Sequence, residues 1–143
     1  MLIYIVNSVL IAIAVMIHYE ALRYPSTTVS QLSIKPRLRV VVGVFGALCA
    51  HIAEIWLFGI AYYYLHHSAI LGTLQGNFAG SLMDGVYFSF TTYISLGFGD
   101  IEPIGDIRFL AGLEALTGLV LITWTASFMY LEMSRYWGQH DKG

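Results

Sequence analysis

The chain has little charge and a single cysteine. Of its 143 residues, 11% are charged and 57% are hydrophobic, and the formal net charge is −2. This composition excludes an ordinary soluble domain, and the near-neutral charge excludes a basic surface for nucleic acid. The lone Cys49 excludes an intrachain disulfide and a multi-cysteine metal site. We therefore expect a protein that lies in a lipid bilayer and has no nucleic-acid partner.

Three apolar stretches are long enough to cross a hydrocarbon core about 30 Å thick. They are residues 2–19, 40–65 and 109–131. No Lys or Arg precedes the first stretch, so it is expected to be a retained membrane helix and not a signal peptide.

The basic residues predict the orientation of these spans. Four of the seven lie in the polar segment 20–39, which is expected to form a loop or a short surface helix, and others lie in the tail 134–143. Because Lys and Arg are enriched in cytoplasmic loops, this segment and the tail are predicted to be cytoplasmic. The N-terminus and residues 66–108 are then outside. We expect a multi-pass protein of the cell membrane, of the bacterial inner membrane type.

A short aromatic and hydroxyl-rich run, residues 81–94, precedes the third span. It is too short to cross the membrane. A bilayer tolerates such a re-entrant helix only where protein or a water-filled cavity surrounds it.

The next residues, Ser95-Leu96-Gly97-Phe98-Gly99, have the chemistry of an ion-selectivity filter. A pore that strips water from K⁺ needs successive rings of oxygen atoms, which backbone carbonyls supply if they all point one way. Gly97 and Gly99 can adopt the unusual dihedral angles that this requires, and Ser95 adds a hydroxyl oxygen. One strand cannot surround an ion, so a ring of subunits is expected.

This segment resembles the pore loop of the potassium channel superfamily, whose signature is Thr-Val-Gly-Tyr-Gly. The resemblance covers about residues 55–133. It implies an all-α membrane protein with an outer helix (40–65), a pore helix (81–94), a filter (95–100) and an inner helix (109–131). Such a protein is a small bacterial-type two-helix pore, here with an additional N-terminal transmembrane helix in residues 1–39. The implied assembly is a non-enzymatic homotetramer that conducts K⁺, its permeant monovalent cation.

The same resemblance assigns roles to residues around the filter. Tyr87 and Phe88 match the aromatic pair that braces it, and Thr92 matches a pore-helix threonine. Asp100 matches the acid that hydrogen-bonds behind the filter, and Pro103 a proline shortly after it.

The filter also departs from the signature at four positions. Ser95 replaces threonine, Leu96 valine and Phe98 tyrosine, while Ile94 stands where a second threonine is common. Serine keeps the hydroxyl and leucine contributes its carbonyl. Selectivity for K⁺ is expected, with a non-selective monovalent cation channel as the alternative.

Acidic residues flank the filter on the predicted outer side: Asp84, Asp100, Glu102 and Asp106. They could draw cations toward a pore mouth. Glu102 and Asp106 are equally compatible with an ordinary solvated loop, and Asp84 with a cap at the start of the pore helix.

Three polar or small residues within the spans are also candidates. Glu114 is an ionisable group in the third span, expected to brace the pore helix from behind or to bias cations in the cavity. Gly118 is a candidate hinge or a point of close helix packing. Glu54 follows His51 by three residues on one helical face, a pair too sparse for a zinc site.

Two alternatives of another class stay open on the sequence. One is a membrane enzyme that uses His51, Glu54 and Glu114, although the chain has no nucleophile–base motif or full metal-ligand set. The other is a non-conducting accessory membrane subunit.

Overall fold

The computed structural model describes residues 1–31 and 35–137. Residues 32–34 of the expected loop and 138–143 of the expected tail lie outside the described residues. The elements in chain order are α1 (Leu2–Gln31), α2 (Pro36–Ser68), β1 (Thr73–Gly76), α3 (Leu82–Tyr93), β2 (Ile101–Ile104) and α4 (Ile107–Trp137). Helices α1, α2 and α4 are long and apolar enough to cross a membrane. The predicted class, a helical membrane protein with three spans and a short re-entrant helix, is confirmed.

The long helices extend beyond their predicted bounds. Residues 20–31 continue α1, so the expectation of a loop or separate surface helix there is corrected. Helix α2 begins at Pro36, whose fixed φ and missing N–H suit the first turn of a helix. It ends at Ser68, where Ala69 adopts the left-handed conformation and its N–H bonds the last carbonyls. The length of an apolar run indicates the part of a helix that can lie in lipid and misses such polar ends.

Helix α3 has the dimensions of a re-entrant helix. Its 12 residues span about 18 Å, well short of the hydrocarbon core. Its start is fixed by a capping box, because Ser81 Oγ accepts from the Asp84 N–H and the Asp84 carboxylate accepts from the Ser81 N–H. The hydrogen bonds from Ser81, and from the Ala79 N–H, lower the pKa of Asp84. The structure therefore shows Asp84 as part of a helix cap, one of the two roles that the sequence suggests for it.

A two-stranded antiparallel sheet, which the sequence did not predict, closes the two ends of the re-entrant segment. Strand β1 pairs with β2 from Thr73 opposite Ile104 to Gly76 opposite Ile101. Gly72 precedes β1 with φ +124°, and a Cβ there would lie 2.0 Å from the Ile104 carbonyl oxygen. The sheet thus holds α3 and the filter between two joined strands.

Helices α2 and α3 cross through a pair of glycines. A Cβ on Gly59 would lie 2.7 Å from the Val86 Cα, and one on Gly85 would lie 2.8 Å from the Gly59 carbonyl oxygen. Backbones this close require residues without side chains at both positions. The crossing seats the pore helix directly on α2.

Helix α1 runs beside α2 and α4. Its first turns meet the start of α4, where the Tyr4 and Phe109 rings lie 6.3 Å apart. Ile3 joins the buried core that also contains Ile107. The N-terminus therefore lies at the same end of the protein as residues 66–108, which is the relation that the basic residues predict.

We expect Gly59→Ala to destabilise the protein. The new methyl group meets backbone that cannot yield, and such overpacking costs about 1–3 kcal/mol, more than the gain of about 0.5–1 kcal/mol from replacing a helical glycine. Gly112→Ala is the matched control, because a Cβ there meets nothing within 4 Å. Thermal unfolding of the purified proteins in detergent should show a lower midpoint for Gly59→Ala alone. Equal midpoints for both variants would contradict the glycine crossing.

Candidate functional site

The filter segment is fastened to the last turn of α3. The N–H groups of Leu96 and Gly97 donate to the Thr91 carbonyl, at 2.8 and 3.1 Å, and the Ser95 N–H donates to the Thr92 carbonyl at 2.9 Å. Helix carbonyls at a C-terminus otherwise lack partners. The end of the helix thus fixes where the filter begins.

Positive φ angles alternate along the filter. They are 58° at Ser95, 53° at Gly97 and 76° at Gly99, whereas Leu96 and Phe98 are not in this region. Alternation between left- and right-handed dihedral angles turns successive peptide planes the same way, so that N–H groups face one side and carbonyls the other. Positive φ at alternate residues is the backbone pattern expected for the predicted carbonyl rings.

The glycines are needed for conformation and not for space. A Cβ on Gly97 or Gly99 would meet nothing within 4 Å in the chain. A side chain at positive φ costs roughly 1–2 kcal/mol. Ser95 adopts this conformation without being a glycine, which marks it as a constrained residue of the site.

Tyr87 contacts the residue that follows the filter segment, and its bracing role stays a prediction. Its phenol hydrogen-bonds the Asp100 carboxylate, and desolvation together with this bond raises the pKa of Tyr87. Phe88 points elsewhere: its ring packs edge-on against Tyr62 of α2, with centroids 4.8 Å apart. The two aromatic residues therefore divide their roles, one at the filter and one at the anchor of the pore helix.

Glu114 lies fully buried behind the pore helix. The Ser89 hydroxyl donates to its Oε1 at 2.5 Å, and the Tyr62 hydroxyl donates to its Oε2 at 2.6 Å. One carboxylate thereby joins α4 to α3 and α2. This geometry is consistent with Glu114 bracing the pore helix from behind, because its carboxylate does not face open space within the chain.

Glu54 is the centre of a second buried polar cluster. His18 Nδ1 lies 2.9 Å from its Oε1 and His51 Nδ1 lies 3.3 Å from its Oε2. The Tyr93 hydroxyl also donates to Oε2. His18 comes from α1, so the additional helix is tied to the pore unit through this group.

His18 is the site residue that sequence reasoning missed. Its position in the first span could have identified it, because an ionisable group in a membrane span usually pairs with another and marks a function. His51 and Glu54 alone are too sparse for a zinc site, and His18 brings a third potential ligand atom to them.

Comparison with known proteins identifies the family. A family model described as "Ion channel" (Ion_trans_2) matches residues 40–134, which include most of α2, the re-entrant segment and most of α4. The chain belongs to this ion channel family. It is a family of potassium-channel-like pores with two transmembrane helices, so α1 stands outside the matched unit.

The chain is also similar to protein LctB of Geobacillus stearothermophilus. The two are 41% identical over 46 residues, which are 32% of this chain and 34% of LctB. The similarity therefore spans about a third of the length of LctB.

Gly118 of α4 packs closely against the end of α3. A Cβ there would lie 2.1 Å from the Tyr93 carbonyl oxygen, at the end of the pore helix. The packing interpretation has a structural basis, and bending of α4 at Gly118 stays a prediction.

The outer acids occupy two environments. Glu102 in β2 and Asp106 before α4 are exposed, whereas Asp100 is half-buried beside Tyr87. Among the described residues, no contact assigns a role to Glu102 or Asp106, and their attraction of cations stays a prediction.

The residues proposed for a membrane enzyme do not form one site. Glu114 bonds Tyr62, whereas Glu54 bonds His18 and His51. Glu54 and Tyr62 are eight residues apart on α2, a rise of about 12 Å. Family and geometry together indicate an ion channel.

Removing the Tyr62 hydroxyl should destabilise the fold. Tyr62→Phe leaves the buried Glu114 short of one donor, at a cost of about 1–3 kcal/mol. The control is Tyr64→Phe, two residues along on the exposed side of α2, where a change within about 0.5 kcal/mol is expected. The thermal unfolding midpoint in detergent should fall for Tyr62→Phe only. An unchanged midpoint would show that Glu114 does not depend on this bond.

Proposed function

We propose that four copies of the chain form a potassium-selective channel, which conducts K⁺ passively across the cell membrane through Ser95-Leu96-Gly97-Phe98-Gly99. The observation that supports this most directly is the alternation of positive φ along the filter. Carbonyls turned to one side offer successive oxygen layers, and such layers replace the hydration shell of K⁺ in potassium channels.

The need for partner copies follows from the exposed filter. Leu96 is 51% exposed and Phe98 is 64% exposed in the single chain, although both are large and apolar. Covering them with equivalent surfaces of neighbouring copies requires a closed ring. Potassium channels use four filter loops, and the family membership makes four the number we propose here.

Charge at the two ends supports the proposed orientation. Arg23 lies near the end of α1, Lys35 precedes α2 and Arg135 lies near the end of α4. The filter's outer acids lie at the opposite end, after residue 99. With the basic end in the cytoplasm, the filter opens outward and the C-terminus is inside.

Reversal potentials test the proposed selectivity. Current through purified protein in planar bilayers, with high K⁺ on one side and low K⁺ plus Na⁺ on the other, should reverse close to the K⁺ equilibrium potential. A reversal near zero would replace the proposal with a non-selective cation channel, the alternative that Ser95 and Leu96 raise. Intact assemblies without conductance would indicate an accessory subunit.

Gly97→Ala should abolish K⁺ flux in proteoliposomes while the protein still assembles. A side chain disfavours the positive φ of residue 97 and should therefore turn the neighbouring filter carbonyl out of its ring. Gly80→Ala is the control, because Gly80 also has positive φ, +84°, and open space around its Cβ position, but lies outside the filter. Flux should persist in Gly80→Ala. Normal conductance in Gly97→Ala would contradict the filter assignment.

A further inference from the structure

A set of metal-ligand side chains lies where α1 meets the pore unit. His18, His51 and Glu54 each offer one ligand atom, and these atoms lie within 4.8 Å of one another. His18 and Glu54 are fully buried, and His51 is nearly so. Nothing in the proposed conduction mechanism uses this cluster.

The two histidine rings are oriented alike. Each Nδ1 faces the Glu54 carboxylate, at 2.9 Å for His18 and 3.3 Å for His51. Each Nε2 faces the Thr125 hydroxyl oxygen, at 3.2 and 3.1 Å respectively. The two Nδ1 atoms thus converge on Glu54, and the two Nε2 atoms share Thr125 as a partner.

Thr125 can fix both rings in the state that binds a metal. A hydroxyl oxygen has two lone pairs, so it can accept an N–H from each Nε2. Each neutral ring then has its Nδ1 lone pair directed at the carboxylate, and metal-bound histidines have this arrangement of one ligating nitrogen and one hydrogen-bonded N–H.

The ligand types and spacings suit a transition metal ion of the Zn²⁺ class. Two imidazoles and one carboxylate form a known zinc set that leaves a fourth position open. Tetrahedral bonds of about 2.0–2.1 Å separate ligand atoms by roughly 3.3 Å, close to the separations at Glu54. The Tyr93 hydroxyl, 2.9 Å from His51 Nδ1, is placed to supply a fourth oxygen.

The cluster can be reached from one side. His51, Tyr93 and Thr125 line one part of an otherwise apolar groove, with a volume of about 530 Å³, between α2, α3 and α4. An ion entering along this groove would meet His51 first.

From this geometry we propose that His18, His51 and Glu54 bind one Zn²⁺-class ion per chain, which clips α1 to α2 behind the pore helix. Tyr93 is the last residue of α3, two residues before Ser95 of the filter, and its carbonyl packs on Gly118. The site therefore joins the additional helix to the base of the filter and to the inner helix.

Zn²⁺ binding to the metal-stripped full chain in detergent tests the proposal. His66→Ala and His67→Ala are built into every protein, because these adjacent histidines at the end of α2 could bind the ion adventitiously. Equilibrium dialysis should give one Zn²⁺ per chain. His18→Ala and His51→Ala should each weaken binding more than tenfold.

A variant that leaves all three ligands in place separates the orienting role from general damage. Thr125→Ala should weaken Zn²⁺ binding by about 10–100-fold. Thr123→Ala is its control, since the Thr123 hydroxyl donates to the Leu119 carbonyl in its own helix, and binding should not change. Equal affinity in Thr125→Ala and Thr123→Ala would overturn the assigned geometry.

Co²⁺ provides a measurement that does not depend on folded ligand variants. Bound to the same protein, it should give the intense visible absorption of four-coordinate cobalt, and Zn²⁺ should remove that absorption. Absence of saturable Zn²⁺ binding and of this spectrum would overturn the site and leave a hydrogen-bonded cluster only. Binding that persists undiminished in monodisperse His18→Ala and His51→Ala proteins would overturn it equally.

Discussion

Lipid offers no hydrogen-bond partner, and the arrangement of the helices follows from this constraint. Two carboxylates, Glu54 and Glu114, lie buried at membrane depth. Each has hydrogen-bonding partners, and all of these except His51 come from other helices: Tyr62 and Ser89 for Glu114, and His18, His51 and Tyr93 for Glu54. Leaving a buried carboxyl group without a hydrogen-bond partner is costly. The two carboxylates therefore help to determine which helices meet, and at which turn.

The same constraint shapes the re-entrant segment. Its helix starts with the Ser81–Asp84 capping box, and its final carbonyls accept from the N–H groups of the filter. Filter N–H groups held toward the helix leave the filter carbonyls directed elsewhere. Pairing the polar backbone on one side thus leaves the carbonyls on the other side available for the proposed cation.

Much of this arrangement could be predicted from the sequence, because its signals are local. Apolar length indicated three spans, the short run before Ile94 indicated a re-entrant helix, and Gly97 and Gly99 indicated unusual dihedral angles. The partners could not be predicted in the same way. His18 lies 36 residues before Glu54, and no spacing rule links residues on different helices. The β1–β2 sheet and the Gly59–Gly85 crossing likewise depend on which segments meet in space.

The central claim is that the carbonyls of Ser95 to Phe98 bind permeant ions on an axis shared by four copies. Crystals grown in a thallium(I) salt test it most directly, since Tl⁺ resembles K⁺ in size and scatters anomalously. The account predicts a row of anomalous peaks on a fourfold axis, level with the filter carbonyls. An assembly whose filter segments do not meet, or an axis without peaks, would contradict it.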